Sequence, residues 1–231
     1  MRKSVILFLS LIIVLTVCFI ISILINRADK VNSTSVSNNS CIVIDAGHGG
    51  KDSGTVGIDG ALEKTVNLNI ALDLYDFLKI TGYDCHLVRD GDYQLYYEEE
   101  EKSRSDLYNR LDFVNSFDNP TLISIHQNHF ENESERGMQI WYSPNDDVSK
   151  ILADEILSFT NSNIQKDNKR QNKPSDSSYY ILHKASVPSV MVECGFMSNR
   201  KENALLQDKE YQKKIAYSIA MGFNNFKVQE K

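Results

Sequence analysis

The stretch CIVIDAGHGGKDSGTVGIDGALEK, residues 41–64, decides the fold of this chain. Its apolar start, residues 41–44, predicts a buried strand, and the glycines that follow predict that His48 lies exposed at the carboxyl end of this strand. Open α/β sheets bind their ligands at that end. Glu63 follows the glycine-rich loop and begins a predicted helix, where a carboxylate also suits the helix dipole. We therefore expect His48 and Glu63 to face one point.

The remaining sequence alternates predicted strands and helices. After a helix over residues 65–79, apolar runs predict strands over 83–89, 121–125, 137–142 and 187–192, with helices over 105–114 and 148–159. Residues 162–178 are too polar for a core, and two helical segments follow the last strand up to Phe226. The pattern predicts one α/β domain with a mainly parallel, roughly six-stranded twisted sheet, covered on both faces by five or six helices.

The amino-terminal segment has the composition of a membrane anchor. Residues 4–25 carry no charge, and as a helix these 22 residues would extend about 33 Å, enough to cross a bilayer. A cleaved signal peptide is the alternative, but no small-x-small cleavage site follows the apolar run. We expect an uncleaved transmembrane helix in residues 1–25, a flexible tether in 26–40 and a catalytic domain in 41–231. The positive Arg2 and Lys3 predict that this domain lies outside the cytoplasm.

Charge and cysteine content exclude some classes of function. The chain has 25 basic and 31 acidic residues, a net charge of −6, and without Arg2 and Lys3 the remainder carries −8, so nucleic acid is not an expected partner. Outside the apolar segment three cysteines remain, Cys41, Cys85 and Cys194, with no C-x-x-C pair. Buried free thiols are expected, and a Cys41–Cys85 bridge between adjacent strands stays open.

Two further polar residues follow predicted strands. The strand over 121–125 leads into His126, and the strand over 187–192 leads into Glu193. Two imidazoles and one carboxylate suit a catalytic zinc ion, which keeps its fourth position open. His48, Glu63 and His126 are therefore predicted to bind one Zn²⁺. Glu193, next to an apolar strand, is predicted to transfer protons during catalysis, the alternative being a structural partner of a basic side chain.

The other histidines have less specific surroundings. His129 lies in a polar turn and is expected to face solvent, with a role as an alternative or fourth ligand left open. His86 alternates with apolar neighbours and is expected to be structural, and His183 is assigned no role.

Several short motifs resemble one enzyme family. They are IDAGHGGKDSG, LEK, VRDGD, Arg110 with Asn115, ISIHQN and VECGFMSN, in this order between Cys41 and about Phe226. Together they resemble the zinc-dependent N-acetylmuramoyl-L-alanine amidases, hydrolases of bacterial cell-wall turnover. The resemblance implies the same zinc ligands and a catalytic Glu193. Two positions depart from the family pattern, Val88 and His129, and neither touches the predicted metal.

The resemblance also implies a substrate and a biological role. The substrate would be peptidoglycan, cut between N-acetylmuramic acid and L-alanine. The short form with an anchor and no wall-binding domain is similar to the germination-specific amidases of endospore formers, which implies a role in making muramic-δ-lactam of the spore cortex. An activating partner protein is a further expectation, because the acidic domain gains no long-range attraction from its acidic substrate. A zinc peptidase acting within stem peptides and a non-catalytic, tethered peptidoglycan-binding module remain alternatives.

Overall fold

The computed structural model describes residue 16, residues 38–96 and residues 105–229. From Asn38 onward the chain forms one compact unit. Its strands are β1 (Asn38–Ala46), β2 (Tyr83–Leu87), β3 (Thr121–Asn128), β4 (Gln139–Tyr142), β5 (Lys173–Pro174) and β6 (Ser189–Phe196). Its helices are α1 (Glu63–Ile80), α2 (Asp106–Asn115), α3 (Asp147–Asn163), α4 (Tyr180–Lys184), α5 (Arg200–Gln207) and α6 (Lys209–Gln229).

All six strands form one sheet in the order β2-β1-β3-β6-β4-β5. Strands β2, β1, β3 and β6 run parallel to one another, and β4 pairs with β5 in parallel, but β4 runs antiparallel to β6. The expected six-stranded α/β domain is confirmed, whereas the expectation of a mainly parallel sheet is corrected: the sheet is mixed. The reason is the connection from β3 to β4, which contains no helix and returns the chain in the opposite direction.

Helices cover both faces of the sheet, as the sequence predicts. On one face α1, α3 and α6 pack on a large apolar cluster that includes Ile44, Ile125 and Val192. On the other face a smaller cluster joins Val43 and Leu122 of the sheet to residues of α2 and α4. Apolar side chains on both faces explain why β1 and β3 are almost uninterrupted hydrophobic runs.

The apolar stripe of α1 shows how a helix attaches to this sheet. Val66, Ile70, Leu74 and Leu78 are spaced four residues apart, and all four are buried in the larger cluster. This packing fixes the first turn of α1, where Glu63 lies, against the carboxyl ends of β1 and β3.

Two predicted strands continue further than their apolar runs. Strand β3 includes His126 and ends at Asn128, and β6 includes Glu193 and ends at Phe196. The two strands stay paired over this extension, with His126 directly opposite Glu193. Strand β1 likewise begins at Asn38, inside the predicted tether, although its register with β2 shifts between Asn38 and Cys41. Strand β5 lies within residues 162–178, the stretch whose sequence is too polar for a core, and both of its residues are exposed.

The predicted transmembrane helix in residues 1–25 lies outside the described residues except for Thr16. Among the helices that the structure describes, none is long and apolar enough to cross a membrane.

Candidate active site

The structure brings the four predicted site residues together at the carboxyl ends of the parallel strands. His48 follows β1, Glu63 is the first residue of α1, and His126 and Glu193 lie opposite each other in β3 and β6. His48, His126 and Glu193 line a cleft of about 710 Å³, and Glu63 is buried beside the two imidazoles. This is the edge at which α/β sheets bind their ligands.

The side chains of His48, Glu63 and His126 fit a metal ion. Ligand atoms of all three lie within 4.8 Å of one another. Nε2 of His48 lies 3.2 Å from Oε2 of Glu63, and Nδ1 of His126 lies 3.1 Å from Oε1 of the same carboxylate. Ligands that bind a tetrahedral zinc ion at about 2.0–2.2 Å are separated by roughly 3.3–3.5 Å. Two imidazoles and a carboxylate at this spacing form a donor set for one ion.

Backbone and side-chain donors fix the Glu63 carboxylate in place. Oε2 accepts a hydrogen bond from the amide of Thr55 at 2.8 Å, and Oε1 accepts one from the amide of Gln127 at 3.0 Å. The amide group of Asn67 also donates to Oε1 at 3.2 Å. Burial alone would raise the pKa of Glu63, but its hydrogen bonds to His126 and His48 outweigh burial and hold the pKa well below the usual range. Glu63 is therefore ionised and oriented.

His48 is oriented from behind by Asp52. Oδ2 of Asp52 lies 2.7 Å from Nδ1 of His48, which leaves Nε2 directed at Glu63. Burial alone would lower the pKa of His48, but the Glu63 and Asp52 carboxylates raise it to about 9. A carboxylate behind an imidazole is a common arrangement around metal-binding histidines, because it fixes the ring and its tautomer. Sequence analysis assigned no role to Asp52, although it lies only four residues beyond His48.

Two buried arginines hold the backbone that presents His48. The backbone of His48 is in the left-handed region, with φ of 62°, which is uncommon for a residue other than glycine. Arg110 donates hydrogen bonds to the carbonyls of Ala46 and His48, and Arg89 donates to those of Ala46 and Gly47. Three consecutive carbonyls are thus bound by guanidinium groups that are almost fully buried. These contacts stabilise a backbone conformation that would otherwise be strained.

Two glycines leave room for the metal-binding side chains. A Cβ atom at Gly47 would lie 2.2 Å from ring atoms of His126, and one at Gly54 would lie 2.6 Å from Oε2 of Glu63 and from the His48 ring. Gly54 also has a φ of +63°, which favours glycine. The glycine-rich loop therefore allows close approach of the backbone to this site, as the sequence predicts.

Glu193 differs from Glu63 in its surroundings. It is buried, and none of the described residues donates a hydrogen bond to its Oε2. Burial is the main cause that raises the pKa of Glu193 to about 7, with a further increase from the Glu63 charge that partly offsets the lowering by His126. A carboxyl group with a pKa in this range can both accept and release a proton at neutral pH. No basic side chain pairs with it among the described residues, so the structure gives no support to a purely structural role.

The remaining candidates lie away from the cluster. His129 is exposed, and its backbone amide bonds its neighbour Asn128, so it does not complete a closed four-ligand site. His86 lies in β2 on the edge of the sheet. Cys41, Cys85 and Cys194 are free thiols, and no Cys41–Cys85 bridge is present.

Known proteins of one enzyme family are similar to this chain. A family model described as N-acetylmuramoyl-L-alanine amidase matches residues 42–225. The match spans the whole described sheet apart from the first residues of β1. The chain belongs to the N-acetylmuramoyl-L-alanine amidase family. The resemblance drawn from the sequence motifs is thereby confirmed.

Individual amidases are similar over most of the chain. The germination-specific N-acetylmuramoyl-L-alanine amidase of Bacillus subtilis is 31% identical over 189 residues, which cover 78% of this chain and 77% of that protein. The CwlD amidase of Clostridioides difficile, solved in complex with the GerS lipoprotein, is 37% identical with a TM-score of 0.76, over 82% of this chain and 99% of that one. The amidase AmiC2 of Nostoc punctiforme is 32% identical with a TM-score of 0.72, over 83% of this chain and 99% of that one.

Proposed function

We propose that this amidase is zinc-dependent and hydrolyses the amide between the lactyl group of N-acetylmuramic acid and L-alanine of peptidoglycan. We further propose that it acts in forming muramic-δ-lactam of the spore cortex. The observation that supports the chemistry is the convergence of His48, Glu63 and His126 beside a cleft that Glu193 also lines, with Oε2 of Glu193 unpaired. The observation that supports the substrate is membership of the amidase family.

Zinc is the ion that best suits the donor set. Two imidazole nitrogens and one carboxylate are typical of catalytic zinc sites, in which a fourth position stays open. When bound, zinc polarises a carbonyl group and lowers the pKa of a water molecule. The exposed position of His129 supports an open site, because the alternative of a non-catalytic module would need a fourth protein ligand.

The chain's own residues divide the remaining work. Glu63, ionised and held by Thr55 and Gln127, keeps the two imidazoles in position. Glu193 lies across from His126 on the adjacent strand and faces the same cleft. It accepts a proton from the attacking water and donates it to the leaving nitrogen of the amide. The buried position of Glu193 keeps its charged form from being solvated and so suits it to both steps.

The apolar amino-terminal segment and the similar amidases support a proposal for where the protein acts in the cell. We propose that residues 1–25 anchor the domain in the membrane, with residues 41–231 on the wall side, where peptidoglycan lies. The germination-specific amidase of Bacillus subtilis and the CwlD amidase are both similar over more than three quarters of this chain, which supports the cortex role.

A protein partner is a further part of the proposal. The CwlD amidase was solved with a lipoprotein bound, and the soluble part of this chain is acidic, like its proposed substrate. A partner that binds the metal-loaded fold would raise apparent metal affinity by linkage. Zinc occupancy and turnover of the isolated full chain in detergent should therefore both rise when the native extract is added. Full occupancy and equal rates in isolation would remove the reason for a partner.

Identifying the bond that is cleaved is the decisive test of the proposed reaction. The full chain in detergent with Zn²⁺ should release new amino-terminal alanine from purified cortex peptidoglycan, and mass spectrometry should find muramic acid without peptide. The His48→Ala variant is the matched control and should release neither product. New amino termini on any residue other than alanine would instead establish the peptidase alternative.

A further inference from the structure

A second cluster of metal-binding side chains lies at the opposite end of the sheet from the cleft. Cys41, Asp84 and His86 each offer a ligand atom, and these atoms lie within 4.8 Å of one another. Cys41 is near the start of β1, and five residues of strand, roughly 17 Å at 3.3 Å per residue, separate it from Ala46 at the end of β1. One ion cannot serve both clusters. The proposed amidase chemistry makes no use of this second group.

The strand register explains why these three side chains meet. Cys41 is the direct partner of Asp84 in the parallel pair β1–β2. His86 is two residues beyond Asp84, and side chains two apart on a strand point to the same face. Cys85, between them, instead points into the large apolar cluster. The arrangement is thus set by regular backbone pairing rather than by side-chain flexibility.

Existing contacts already orient two of the three groups. Oδ2 of Asp84 lies 3.2 Å from Nε2 of His86. The His86 ring packs against Phe117 with centroids 4.2 Å apart and planes tilted by 32°, which restricts rotation of the imidazole. Lys79 also approaches Asp84, at 3.8 Å, but both side chains are exposed and such a pair is weak. A cation with three ligands would compete with it readily.

We propose that Cys41, Asp84 and His86 form a second site for a divalent transition-metal ion of the zinc class. A thiolate, an imidazole and a carboxylate together select such ions over Mg²⁺ or Ca²⁺, which prefer oxygen ligands alone. The half-exposed position leaves the fourth position to water. Bound metal would join the start of β1 to the edge strand β2, where the catalytic domain begins.

Cobalt(II) is a probe that separates the two sites. The amidase cluster has no sulfur ligand, so a thiolate-to-cobalt charge-transfer band in the near ultraviolet can come only from a cysteine site. The full chain in detergent should show this band and bind two Co²⁺ per chain. Cys41→Ser should abolish the band, bind one Co²⁺ per chain and hydrolyse peptidoglycan at the wild-type rate. Cys85→Ala and Cys18→Ser are matched controls that should keep the band.

A measurement on the unaltered protein guards against a misfolded variant. Zn²⁺ should slow alkylation of Cys41 by iodoacetamide, read by peptide mass spectrometry. Absence of the charge-transfer band, or alkylation of Cys41 at the same rate with and without Zn²⁺, would overturn the second site. Loss of the band in Cys85→Ala with retention in Cys41→Ser would do the same. None of these three results would bear on the amidase reaction.

Discussion

Removing the charge of Arg110 should lower the stability of the protein, and the loss should depend on pH. Arg110 donates to Asp45 at 2.6 Å and to Asp106 at 2.7 Å, besides its bonds to the carbonyls of Ala46 and His48. The Arg110 and Asp45 side chains are both only 2% exposed. In Arg110→Met, the Ser124 hydroxyl, which donates to Oδ2 of Asp45 at 2.8 Å, would remain as a hydrogen-bond partner of this buried carboxylate.

The loss in free energy of unfolding can be estimated because the substitution leaves Asp45 as a buried charge without its partner. Removing one partner of such a pair costs about 3–5 kcal/mol, against a total stability of about 5–15 kcal/mol for a domain. With a urea slope of about 2 kcal/mol per molar, the unfolding midpoint at pH 7 should fall by about 2 M. Trp141 is the only tryptophan in the sequence and stacks on Tyr179, so its fluorescence reports unfolding directly.

The sign of the pH dependence distinguishes this cause from simple loss of packing. Burial alone would raise the pKa of Asp45, but Arg110, His126 and the Ser124 hydrogen bond together lower it below the ordinary value. In the wild type this contribution is present above the unfolded pKa of about 3.9 and is lost as the pH falls through the lower folded pKa. Without Arg110, burial raises the pKa, so the variant loses stability as the pH rises past about 4.

The difference between wild type and Arg110→Met should therefore be larger at pH 7 than at pH 4. Adding Asp45→Asn to the variant should recover part of the loss at pH 7, because a neutral amide is cheaper to bury than a charge. An equal difference at both pH values, or a further loss in the double variant, would refute this reasoning.

Three more changes test the site itself. Glu193→Gln should retain metal, measured by plasma emission, but lose roughly 10²–10⁴-fold in turnover, as is typical of general acid–base groups; loss of metal together with turnover would make it a ligand. Asp52→Asn should weaken metal binding about 10–100-fold in a chelator competition, because the partner of the His48 ring changes, and an unchanged affinity would contradict its orienting role. Gly47→Ala should displace the His126 ring and lower metal occupancy, since the new Cβ would lie 2.2 Å from that ring; Gly91→Ala, whose φ is not positive and whose Cβ would approach only the Tyr93 ring, at 3.1 Å, controls for the loss of a glycine.

Much of the site could be predicted because each polar residue follows an apolar run. His126 and Glu193 come directly after such runs and His48 follows one after three residues, and parallel strands bring their carboxyl ends to one edge. The apolar runs predict ends of β3 and β6 that are too early in the chain. Polar residues that face the cleft still pair as strand, and hydrophobicity alone does not reveal this pairing.

Strand direction and buried arginines were harder to predict. The alternation of apolar and polar residues in β4 is the same whichever way the strand runs, and only the lack of a helix between β3 and β4 hinted at a reversal. Arg89 and Arg110 belong to polar sequence segments, and nothing local shows that their guanidinium groups are buried. Their role depends on three carbonyls that only the folded turn brings together.

The short strand β5 has a consequence for how copies of this protein meet. It contains only Lys173 and Pro174 and forms one edge of the sheet, next to β4. Proline has no N–H group to donate, and lysine is a charge that disfavours a neighbouring strand. Copies of this domain are therefore hindered from joining their sheets at this edge. The short edge strand thus protects the domain against edge-to-edge association with its copies.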